Sequence, residues 1–413
     1  MNVIENMGSL AKEAAKKLAT ASSAQKNEIL RLISKQLRED SDAVIAANDL
    51  DIKNARDKGT AESMIDRLML DKKRIESIAD ACINVSNLPD PVGEVISGGI
   101  RPNGIKVTKV RVPIGVIGII YESRPNVTVD AAILCLKSGN AVILRGGKEA
   151  IESNKALARS MRKAVEKAGF DKNIIQLVED TSRDIATQMM KANGLIDVLI
   201  PRGGAGLIKS VVQNATVPVI ETGTGNCHIF VDESADVDTA VRIVDNAKTQ
   251  RPSVCNAAES CLVHKNIAKD FLPKLAKLFE KKNVEIRGCE KTREIISANV
   301  ATDEDFATEF LDYIISVKVV DSVDEAIEHI AKYSTGHSES IVTKSYENAE
   351  KFKKSVDSAA VYVNCSTRFT DGEEFGLGAE IGISTQKLHA RGPMGLRELT
   401  SQKYIIDGNG QIR

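Results

Sequence analysis

The alternation of short apolar runs with longer amphipathic segments constrains the fold of this chain more than any other feature of its sequence. From Ala141 onward a strand-like AVILRGG is followed by a helical SNKALARSMRKAVEKAG, a strand-like NIIQLVED, a strand-like IDVLIPRGG and a helical LIKSVVQNA. Neighbouring parallel strands are usually joined by helices, so this order predicts βαβ units. We therefore expect an α/β fold with a doubly wound parallel sheet.

A second alternation of the same kind begins near Ile229. It consists of two helical segments, ADVDTAVRIVDNAK and VDEAIEHIAK, and four strand-like segments, SCLVH, IISVKVV, SIVT and AAVYVN. It predicts a second α/β domain. The chain up to Asn87 is rich in Ala, Lys and Glu with helical spacing of its apolar residues, as in EILRLISKQLRED, and we expect its helices to cover a sheet.

Two β-branched segments stand outside both alternations. GIKVTKVRV follows the turn signals of NLPDPVGE, and KYIIDGNGQIR ends the chain. The tail could pair with the ribbon near Val107 or with the sheet of another subunit, because an exposed strand edge is a template for a further strand. We expect these segments to associate subunits into a homodimer.

Composition narrows the class of protein. Lys and Arg number 56 against 57 Asp and Glu, which leaves a formal net charge of -1 and no basic field for nucleic acid or an anionic membrane. No run approaches the roughly 18 apolar residues of a membrane helix, and the N-terminus lacks an apolar signal core. Cysteines without CxxC spacing and few histidines predict neither a disulfide framework nor a metal site. We expect a cytoplasmic enzyme of small molecules.

The segment QRPSVCNAAESCLVH contains the strongest candidate for a reactive group, Cys255. If the Ala-rich residues after it began a helix, backbone N–H groups and the helix dipole would favour the thiolate. The competing interpretation is a small buried hydrophobe, which is the commoner role of a cysteine. Cys227, in TGTGNCHIF, is the rival nucleophile. The buried role is assigned to Cys82, Cys135, Cys261, Cys289 and Cys365.

Two polar residues near predicted strand ends could complete such a site. Glu221 follows the strand-like VPVI in VPVIETGTG and could act as a base or orient a cofactor, or be a solvated turn residue. Asn126, in YESRPNVTVDAA, could hold a developing oxyanion with its amide, or cap the helix that follows. The local sequence does not decide between these interpretations.

Two segments predict where a nucleotide cofactor binds. In IDVLIPRGGAGLIKSV a strand, the glycine turn of Gly203 and Gly204, and a helix follow one another, which lets backbone N–H groups approach a pyrophosphate. The G-x-G-x-x-G fingerprint is incomplete, because Lys209 stands where its last glycine would be. In AVILRGGKEA, Arg145 and Lys148 supply cations that favour a 2′-phosphate beside the ribose, unless they are only surface charge.

Taken together and in this order, these segments resemble the aldehyde dehydrogenase superfamily across nearly the whole chain. VDEAIEHIAKYSTGHSESI, VYVNCSTRFTDGEEFGLGAEIGIS and TQKLHARGPMGLREL further resemble the branch of that superfamily that reduces γ-glutamyl phosphate. The resemblance implies an aldehyde dehydrogenase-like α/β fold of three parts. These are a Rossmann-type NADP-binding domain in 1–102 and 116–225, a catalytic domain in 226–395, and a small β oligomerisation element in 103–115 and 396–413.

For catalysis, the resemblance implies that Cys255 is the nucleophile and that Asn126 supplies the oxyanion-hole amide. It places Glu221 where hydrolytic relatives keep their base, and Glu309, in TEFLDY, where relatives contact the nicotinamide ribose. RPSVC departs from the glycine-rich approach to the cysteine in hydrolytic relatives, which puts a hydrolytic role for Glu221 in doubt. The implied reaction reduces L-glutamyl 5-phosphate to L-glutamate 5-semialdehyde and phosphate through a cysteine thioester, a step of proline biosynthesis.

For the ligands, the resemblance places Arg145 at the family's adenosine-ribose lysine and Lys148 at an acidic residue of NAD-using relatives, so it implies NADPH as the cofactor. The substrate is anionic at both ends, and Arg offers paired donors to a phosphate or carboxylate. Candidates to hold it are Arg124, Arg368 in CSTRFTDG and His337 in STGHSES, each of which could instead be structural. Glutamate 5-kinase, which would supply the substrate, is an implied partner.

Two other functions remain open at the level of sequence. A coenzyme A-acylating dehydrogenase would share Cys255 and Asn126 and would differ in the acceptor of the acyl group. A non-catalytic, nucleotide-binding scaffold would keep the fold alone, although the joint presence of Cys255, Asn126 and Glu309 argues against it.

Overall fold

In residues 2–413, the part of the chain that the computed structural model describes, five helices come first and helices alternate with strands from Val116 to Val363. The helices are α1 (Val3–Leu18), α2 (Ser23–Glu39), α3 (Ser41–Asp57), α4 (Glu62–Leu68), α5 (Lys72–Asn87), α6 (Pro125–Lys137), α7 (Ile151–Lys167), α8 (Arg183–Met190), α9 (Ala205–Asn214), α10 (Val237–Thr249), α11 (Lys265–Lys281), α12 (Glu290–Arg293), α13 (Asp303–Phe306), α14 (Val323–Tyr333) and α15 (Tyr346–Ser355). The strands are β1 (Val95–Ile100), β2 (Lys106–Pro113), β3 (Val116–Tyr121), β4 (Ala141–Arg145), β5 (Ile175–Leu177), β6 (Val198–Arg202), β7 (Cys227–Val231), β8 (Ala258–His264), β9 (Glu285–Gly288), β10 (Asn299–Val300), β11 (Ile314–Val320), β12 (Ser338–Val342), β13 (Ala360–Val363), β14 (Ile383–Ser384), β15 (Gly392–Pro393) and β16 (Thr400–Asp407). The α/β class expected from the sequence is confirmed.

The described chain divides into two compact units. The first unit contains the chain up to Thr222, together with Gly376–Gly382 and Met394–Arg413. The second unit contains Gly223–Phe375 and Ile383–Pro393. The first unit therefore includes the segments predicted for cofactor binding and for oligomerisation, and the second includes most of the predicted catalytic domain. The functional labels of these segments stay predictions.

A parallel four-stranded sheet in the order β5-β4-β3-β6 forms the centre of the first unit. Every residue of β3, VIGIIY, is buried, as is typical of a parallel strand that is covered on both faces. Two helices of this unit begin where the sequence supplies a cap: Asn2 caps α1 and Ser22 caps α2, each within a reciprocal capping box. The Rossmann-type sheet is thus confirmed, and its carboxyl strand ends share one edge.

The ribbon and the tail form a separate antiparallel sheet in the first unit, in the order β1-β2-β16. β16 pairs with β2 along its whole length, with Ile406 opposite Val107, so the tail takes the intrachain alternative. The sheet begins at Val95, inside the range 1–102 that was assigned to the cofactor domain, because β1 pairs with β2. All of β1 and nearly all of β16 are exposed to solvent.

A seven-stranded parallel sheet in the order β10-β9-β11-β8-β7-β12-β13 forms the second unit, as its second alternation predicted. Its central strand β8, AESCLVH, is buried throughout although it contains Glu259 and His264. β14 and β15 form a separate short antiparallel pair that belongs to the same unit. Because the strands of the large sheet are parallel, their amino ends share one edge.

The described residues lack three features that would point to other classes of protein. Among residues 2–413, no three His, Cys, Asp or Glu side chains are grouped so that they could hold a metal ion. None of the seven cysteines, all of which lie in this range, forms a disulfide. No helix in the described part combines the length and the apolarity needed to cross a membrane.

Candidate active site

The candidate residues of the first unit lie just beyond the carboxyl ends of its parallel strands. Asn126 lies in the first turn of α6 after β3, Arg145 ends β4, and Gly203 and Gly204 join β6 to α9. Open α/β sheets bind their ligands beyond this end of the strands. The structure therefore brings these predicted residues to one edge of the sheet.

Asp130, one turn further along α6, holds the side chain of Asn126. Asn126 Nδ2 donates to Asp130 Oδ2 over 2.9 Å. An ionised carboxylate only accepts hydrogen bonds, so this contact fixes which end of the amide is the donor. Burial raises the pKa of Asp130 to about 6, although the hydrogen bond from Asn126 and the charge of Arg202 oppose the shift. The cap interpretation is wrong, because the N-cap residue of α6 is Arg124.

Arg145 and Lys148 differ in how far each is available to a ligand. Arg145 Nη2 donates to the carbonyl oxygens of Thr181 and Ser182 over 2.7 and 3.3 Å. Burial lowers the pKa of Arg145, and the charge of Glu149 opposes that shift. Lys148 is exposed in the short 3-10 turn after β4. Lys148 is therefore the more accessible of the two cations.

A carboxylate approaches the glycine turn that precedes α9. Gly204 N–H donates to Glu122 Oε2 over 2.9 Å, and a Cβ at Gly203 would lie 2.4 Å from the same oxygen. Helix N-termini favour anions because their first N–H groups have no partner within the helix. The N-terminus of α9 thus already binds one anionic group, the carboxylate of Glu122. A pyrophosphate would need the same N–H donors. The nucleotide-binding role of the turn stays a prediction, and Glu122 would compete with such a ligand for Gly204 N–H.

Glu221 lies near the end of the first unit and is half-buried. The strand predicted for VPVI is reduced to one isolated bridge between Leu199 and Val219. Pro218 has no N–H to donate, which limits pairing along this segment. The role of Glu221 in catalysis or cofactor binding stays a prediction.

The candidate residues of the second unit lie at the amino ends of parallel strands. Cys227 begins β7, Cys255 lies shortly before β8, and His337 directly precedes β12. Glu309 precedes β11. The structure therefore places these residues along the edge formed by the amino ends of the strands. The candidates of the first unit lie instead at the carboxyl ends of theirs.

Cys255 lies in the loop of residues 250–257, called the Cys255 loop below, which joins α10 to β8. The prediction that a helix begins after Cys255 is wrong, because the residues that follow form the buried strand β8. A helix dipole from that side therefore does not act on the thiol. Cys255 itself is half-buried.

The two candidate nucleophiles, Cys227 and Cys255, differ in how deeply they are buried. Cys227 is fully buried, and burial raises the pKa of its thiol well above the usual value. Its Sγ donates to the carbonyl oxygen of Cys255 over 3.1 Å. A nucleophile needs both access and a thiolate, so this environment favours Cys255, and Cys227 supports the main chain of the Cys255 loop instead. Burial also raises the pKa of Cys82 and Cys261 to about 12.

Gly225 allows two chain segments of the second unit to touch. A Cβ at this position would lie 1.5 Å from the carbonyl oxygen of Cys255, so the approach requires a residue without a side chain. Gly225 N–H also donates to Glu309 Oε1 over 2.7 Å. Burial raises the pKa of Glu309, and that hydrogen bond opposes the shift. Gly225 thus connects the predicted nucleophile with the predicted ribose-binding carboxylate.

Asn256 ties the segment around Arg368 to the Cys255 loop. Its Nδ2 donates to the carbonyl oxygens of Arg368 and Thr370 over 3.2 and 3.0 Å, and its Oδ1 accepts from the Arg368 guanidinium. Arg368 Nε also donates to Gln250 Oε1 over 3.1 Å. Burial and then the like charge of Arg251 lower the pKa of Arg368. Two cations therefore lie at this loop, which suits an anionic substrate.

His337 is fully buried, and burial lowers its pKa to about 4, so its ring is neutral near pH 7. Nδ1 lies 2.8 Å from Ser338 Oγ and 3.7 Å from Cys227 Sγ. Nε2 has no hydrogen-bond partner among the described residues. A contribution of His337 to substrate binding would therefore be a hydrogen bond and not a charge.

Comparison with known proteins assigns this chain to a family. The model of the aldehyde dehydrogenase family matches residues 2–294 and 292–405. The chain belongs to the aldehyde dehydrogenase family. It is 60% identical to a γ-glutamyl phosphate reductase from Heliobacterium modesticaldum over 98% of both chains. A crystal structure of the γ-glutamyl phosphate reductase from Thermotoga maritima matches with a TM-score of 0.98 and 53% identity over 100% of both chains.

These similarities place this aldehyde dehydrogenase family member in the γ-glutamyl phosphate reductase branch, as an oxidoreductase. The fold alone is shared with an acetylating aldehyde dehydrogenase from Geobacillus thermoglucosidasius. That structure matches with a TM-score of 0.70 and 18% identity over 99% of this chain and 97% of the other.

Some residues of this family member's candidate site received no role from the sequence. The contact of Asp130 could have been predicted from the sequence, because Asp130 lies four residues after Asn126 and residues at that spacing are neighbours on one helix face. Arg251 could also have been noted, because it stands four residues before Cys255 in QRPSVC. Gly225 and Asn256 act through segments far away in the chain, so no spacing in the sequence identifies their contacts.

Proposed function

We propose that this protein reduces L-glutamyl 5-phosphate to L-glutamate 5-semialdehyde and phosphate with NADPH, through a thioester at Cys255. This reaction is the second step of proline biosynthesis from glutamate, and we place it in the cytoplasm. The observation that carries the proposal is the 60% identity with the γ-glutamyl phosphate reductase from Heliobacterium modesticaldum over 98% of both chains. Cys255 supports it as a half-buried cysteine whose main chain lies against Gly225 and accepts a hydrogen bond from Cys227.

In the proposed mechanism the Cys255 thiolate attacks the acyl carbon, and the carbonyl electron pair moves to oxygen. When the carbonyl forms again, the bond from carbon to the phosphate oxygen breaks, phosphate leaves with the electron pair, and a thioester remains. NADPH, when bound, supplies the hydride that reduces the thioester carbon. Collapse of the thiohemiacetal returns the thiolate to Cys255 and frees the aldehyde. Water must be excluded until then, which disfavours activation of water by Glu221.

Each unit contributes residues that are proposed to contact NADPH. Gly203 and Gly204 would bind the pyrophosphate, Arg145 and Lys148 would lie at the adenosine ribose, and Glu309 would bind the nicotinamide ribose. Glu221 remains a candidate to orient the cofactor. Binding of the pyrophosphate at Gly204 N–H would require Glu122 to move away.

The proposed substrate site rests on cations at the Cys255 loop. Arg368 and Arg251 would hold one anionic end of the substrate, since two guanidinium groups near one loop favour a phosphate or carboxylate. Arg124, at the N-cap of α6, is the further candidate for an anionic end. His337 would contribute a hydrogen bond from its unpartnered Nε2.

Asp130 provides a test of the oxyanion role proposed for Asn126. We expect Asp130→Asn to lower kcat about 10- to 100-fold with little change in KM, because an amide at 130 no longer fixes the orientation of the Asn126 amide. In the wild type kcat should fall as the pH falls through about 6, since a protonated Asp130 can donate as well as accept and no longer fixes the orientation of the Asn126 amide. Steady-state rates over a pH series measure both effects.

The control for this test is Asp270→Asn, which removes the same charge from an exposed position of α11. It should leave kcat and the pH profile as in the wild type. Equal kcat values for Asp130→Asn and the wild type would contradict the orienting role of Asp130.

Cofactor preference is expected to depend on Lys148. A glutamate there would place a negative charge beside the 2′-phosphate, so Lys148→Glu should weaken NADPH more than NADH. Because Lys148 is exposed and solvent screens its charge, we expect a change in preference of about 1 kcal/mol, roughly fivefold. Dissociation constants and kcat/KM for both cofactors at one ionic strength measure it. Lys73→Glu, at an exposed position of α5, is the control, and an unchanged preference in Lys148→Glu would show that Lys148 is only surface charge.

The reverse reaction tests the proposed function directly. L-Glutamate 5-semialdehyde, NADP and phosphate should yield NADPH, and arsenate should replace phosphate. Coenzyme A in place of phosphate should yield none. Turnover that depends on coenzyme A would favour the acylating alternative, and complete absence of thiol-dependent turnover would favour a non-catalytic scaffold. Glutamate 5-kinase as a partner that supplies the substrate is part of the same proposal.

We also propose that the β1-β2-β16 sheet joins two subunits. Tyr404, Ile405 and Ile406 are exposed apolar residues on β16. Truncation after Thr400 should weaken self-association, because it deletes β16 and leaves the edge of β2 unpaired. Sedimentation velocity over a range of concentrations measures the effect, with Ile406→Lys as a full-length variant and Asn54→Lys, at an exposed position of α3, as its control. A monomer in all forms, the wild type included, would contradict the dimer.

A further inference from the structure

A buried ion pair joins the two ends of the Cys255 loop. Lys248 lies in the last turn of α10, Glu259 is near the start of β8, and Lys248 Nζ lies 2.5 Å from Glu259 Oε2. Both side chains are 0% exposed. Lys and Glu are almost never fully buried without a partner, because removal of a charge from water is costly. The pair therefore ties the chain before the Cys255 loop to the chain after it.

The other carboxylate oxygen of Glu259 holds a different segment. Oε1 accepts the N–H of Leu311 over 3.1 Å. Leu311 lies in residues 307–313, called the Glu309 loop below, and its φ of 55° falls in the left-handed region that a leucine rarely adopts. Such a conformation persists only where surrounding contacts hold it. Glu259 is one of the contacts that hold the Glu309 loop in place.

The Glu309 loop and the Cys255 loop are linked again at Gly225. Gly225 N–H donates to Glu309, and the main chain at Gly225 lies directly against the carbonyl group of Cys255. Glu259 thus links the two loops at one point. Gly225 links them at a second point, beside Cys255 and Glu309. A displacement of Glu259 would therefore move both loops where they meet at Gly225.

We propose that Lys248 and Glu259 are positioning residues that set the place of the Cys255 thiol relative to the Glu309 carboxylate. Because both are fully buried, they act through the two loops. Directional hydrogen bonds of an ion pair define one arrangement of these segments, whereas apolar contacts of the same size would tolerate sliding. The inference rests on the proposed function in one respect, namely that Cys255 and Glu309 both act in the reaction.

The test compares two double variants of the full-length protein. Lys248→Met with Glu259→Gln removes the charges of this pair while a glutamine oxygen can still accept from Leu311. Lys26→Met with Asp90→Asn does the same to a second buried pair, in the first unit, whose atoms are also 2.5 Å apart and whose side chains are 1% and 7% exposed. Melting temperature, kcat, KM and the rate of Cys255 alkylation by iodoacetamide are measured for each.

Both double variants are expected to lose thermal stability. Only the change at 248 and 259 should lower kcat, about 10- to 100-fold, with KM within about twofold, since a small misplacement of a reacting group is enough for such a loss. The rate of Cys255 alkylation should change in this variant and stay at the wild-type value in the control. Wild-type kcat and alkylation in the 248 and 259 variant would overturn the proposal and leave a purely structural pair.

A conservative variant covers the case in which the double variant fails to fold. Glu259→Asp keeps the charges but shortens the side chain by one methylene, so it should fold and show a smaller loss of kcat with an unchanged KM. Wild-type kcat in Glu259→Asp would overturn the proposal in that case. Alkylation of Cys255, located by mass spectrometry, needs no substrate. An altered alkylation rate without any phosphate-dependent turnover in the wild type would therefore reject the proposed function and leave the positioning role standing.

Discussion

Replacement of Cys255 by serine is expected to lower kcat at least about 10⁴-fold, because a hydroxyl at this position does not ionise near neutral pH and the thioester cannot form. Exchange of sulfur for oxygen in a half-buried side chain changes little volume, so folding and NADPH binding should be retained. The measurements are kcat of the reverse reaction, the melting temperature and the dissociation constant of NADPH.

Cys289→Ser is the matched control, since Cys289 is also a half-buried free thiol of the second unit. It should keep wild-type kcat. Cys227→Ser should lose much less activity than Cys255→Ser, because a serine hydroxyl can still donate to the carbonyl oxygen of Cys255. Wild-type activity in Cys255→Ser, or loss of activity only on changing Cys227, would refute the assignment of the nucleophile.

Gly225→Ala is expected to have the second largest effect. The added Cβ would lie 1.5 Å from the carbonyl oxygen of Cys255, so either the Cys255 loop or the main chain at Gly225 must move. Overpacking of this kind typically destabilises a fold by about 1–3 kcal/mol. Displacement of the thiol should in addition lower kcat about 100-fold or more. Denaturant unfolding and steady-state kinetics measure the two effects separately.

Gly99→Ala serves as the control for this substitution. Gly99 lies in β1, and a Cβ there would meet no atom within 4 Å. Stability and kcat should therefore stay close to the wild-type values. If Gly225→Ala behaves like Gly99→Ala, the close approach of Gly225 to the Cys255 loop does not determine the position of the thiol.

The secondary structure could be predicted to a large extent because its signals are local. The helical spacing in EILRLISKQLRED corresponds to α2, and the apolar runs SCLVH and IISVKVV correspond to β8 and β11. Two local predictions were wrong, each for its own reason. The Ala-rich residues after Cys255 have helical propensity, yet they form a strand because β8 is buried between β7 and β11, and packing outweighs propensity. The VPVI segment forms one bridge because it contains a proline.

Candidate site residues could be named from the sequence only where a single residue, such as a cysteine, supplies the chemical group. Cys255 and Asn126 were singled out as candidates from their surroundings in sequence, the family resemblance implied their roles, and these roles stay predictions. The bond from Asn126 to Asp130 follows helix spacing and could have been inferred. The neutral state of His337 could not, because it results from burial by segments that are distant in the chain.

The sequence by itself determined the α/β class and most of the helices and strands, and it named Cys255 and Asn126 as candidates for nucleophile and oxyanion donor. Hydrophobic periodicity and residue chemistry are properties of short segments, so they can be recognised without the fold. Only the tertiary structure decided that Cys227 is buried beside Cys255, that Gly225 meets the Cys255 loop, and that Lys248 and Glu259 pair beneath it. These contacts join segments that the sheet brings together, and burial and hydrogen bonding at such contacts depend on distances in space that no local pattern of residues encodes.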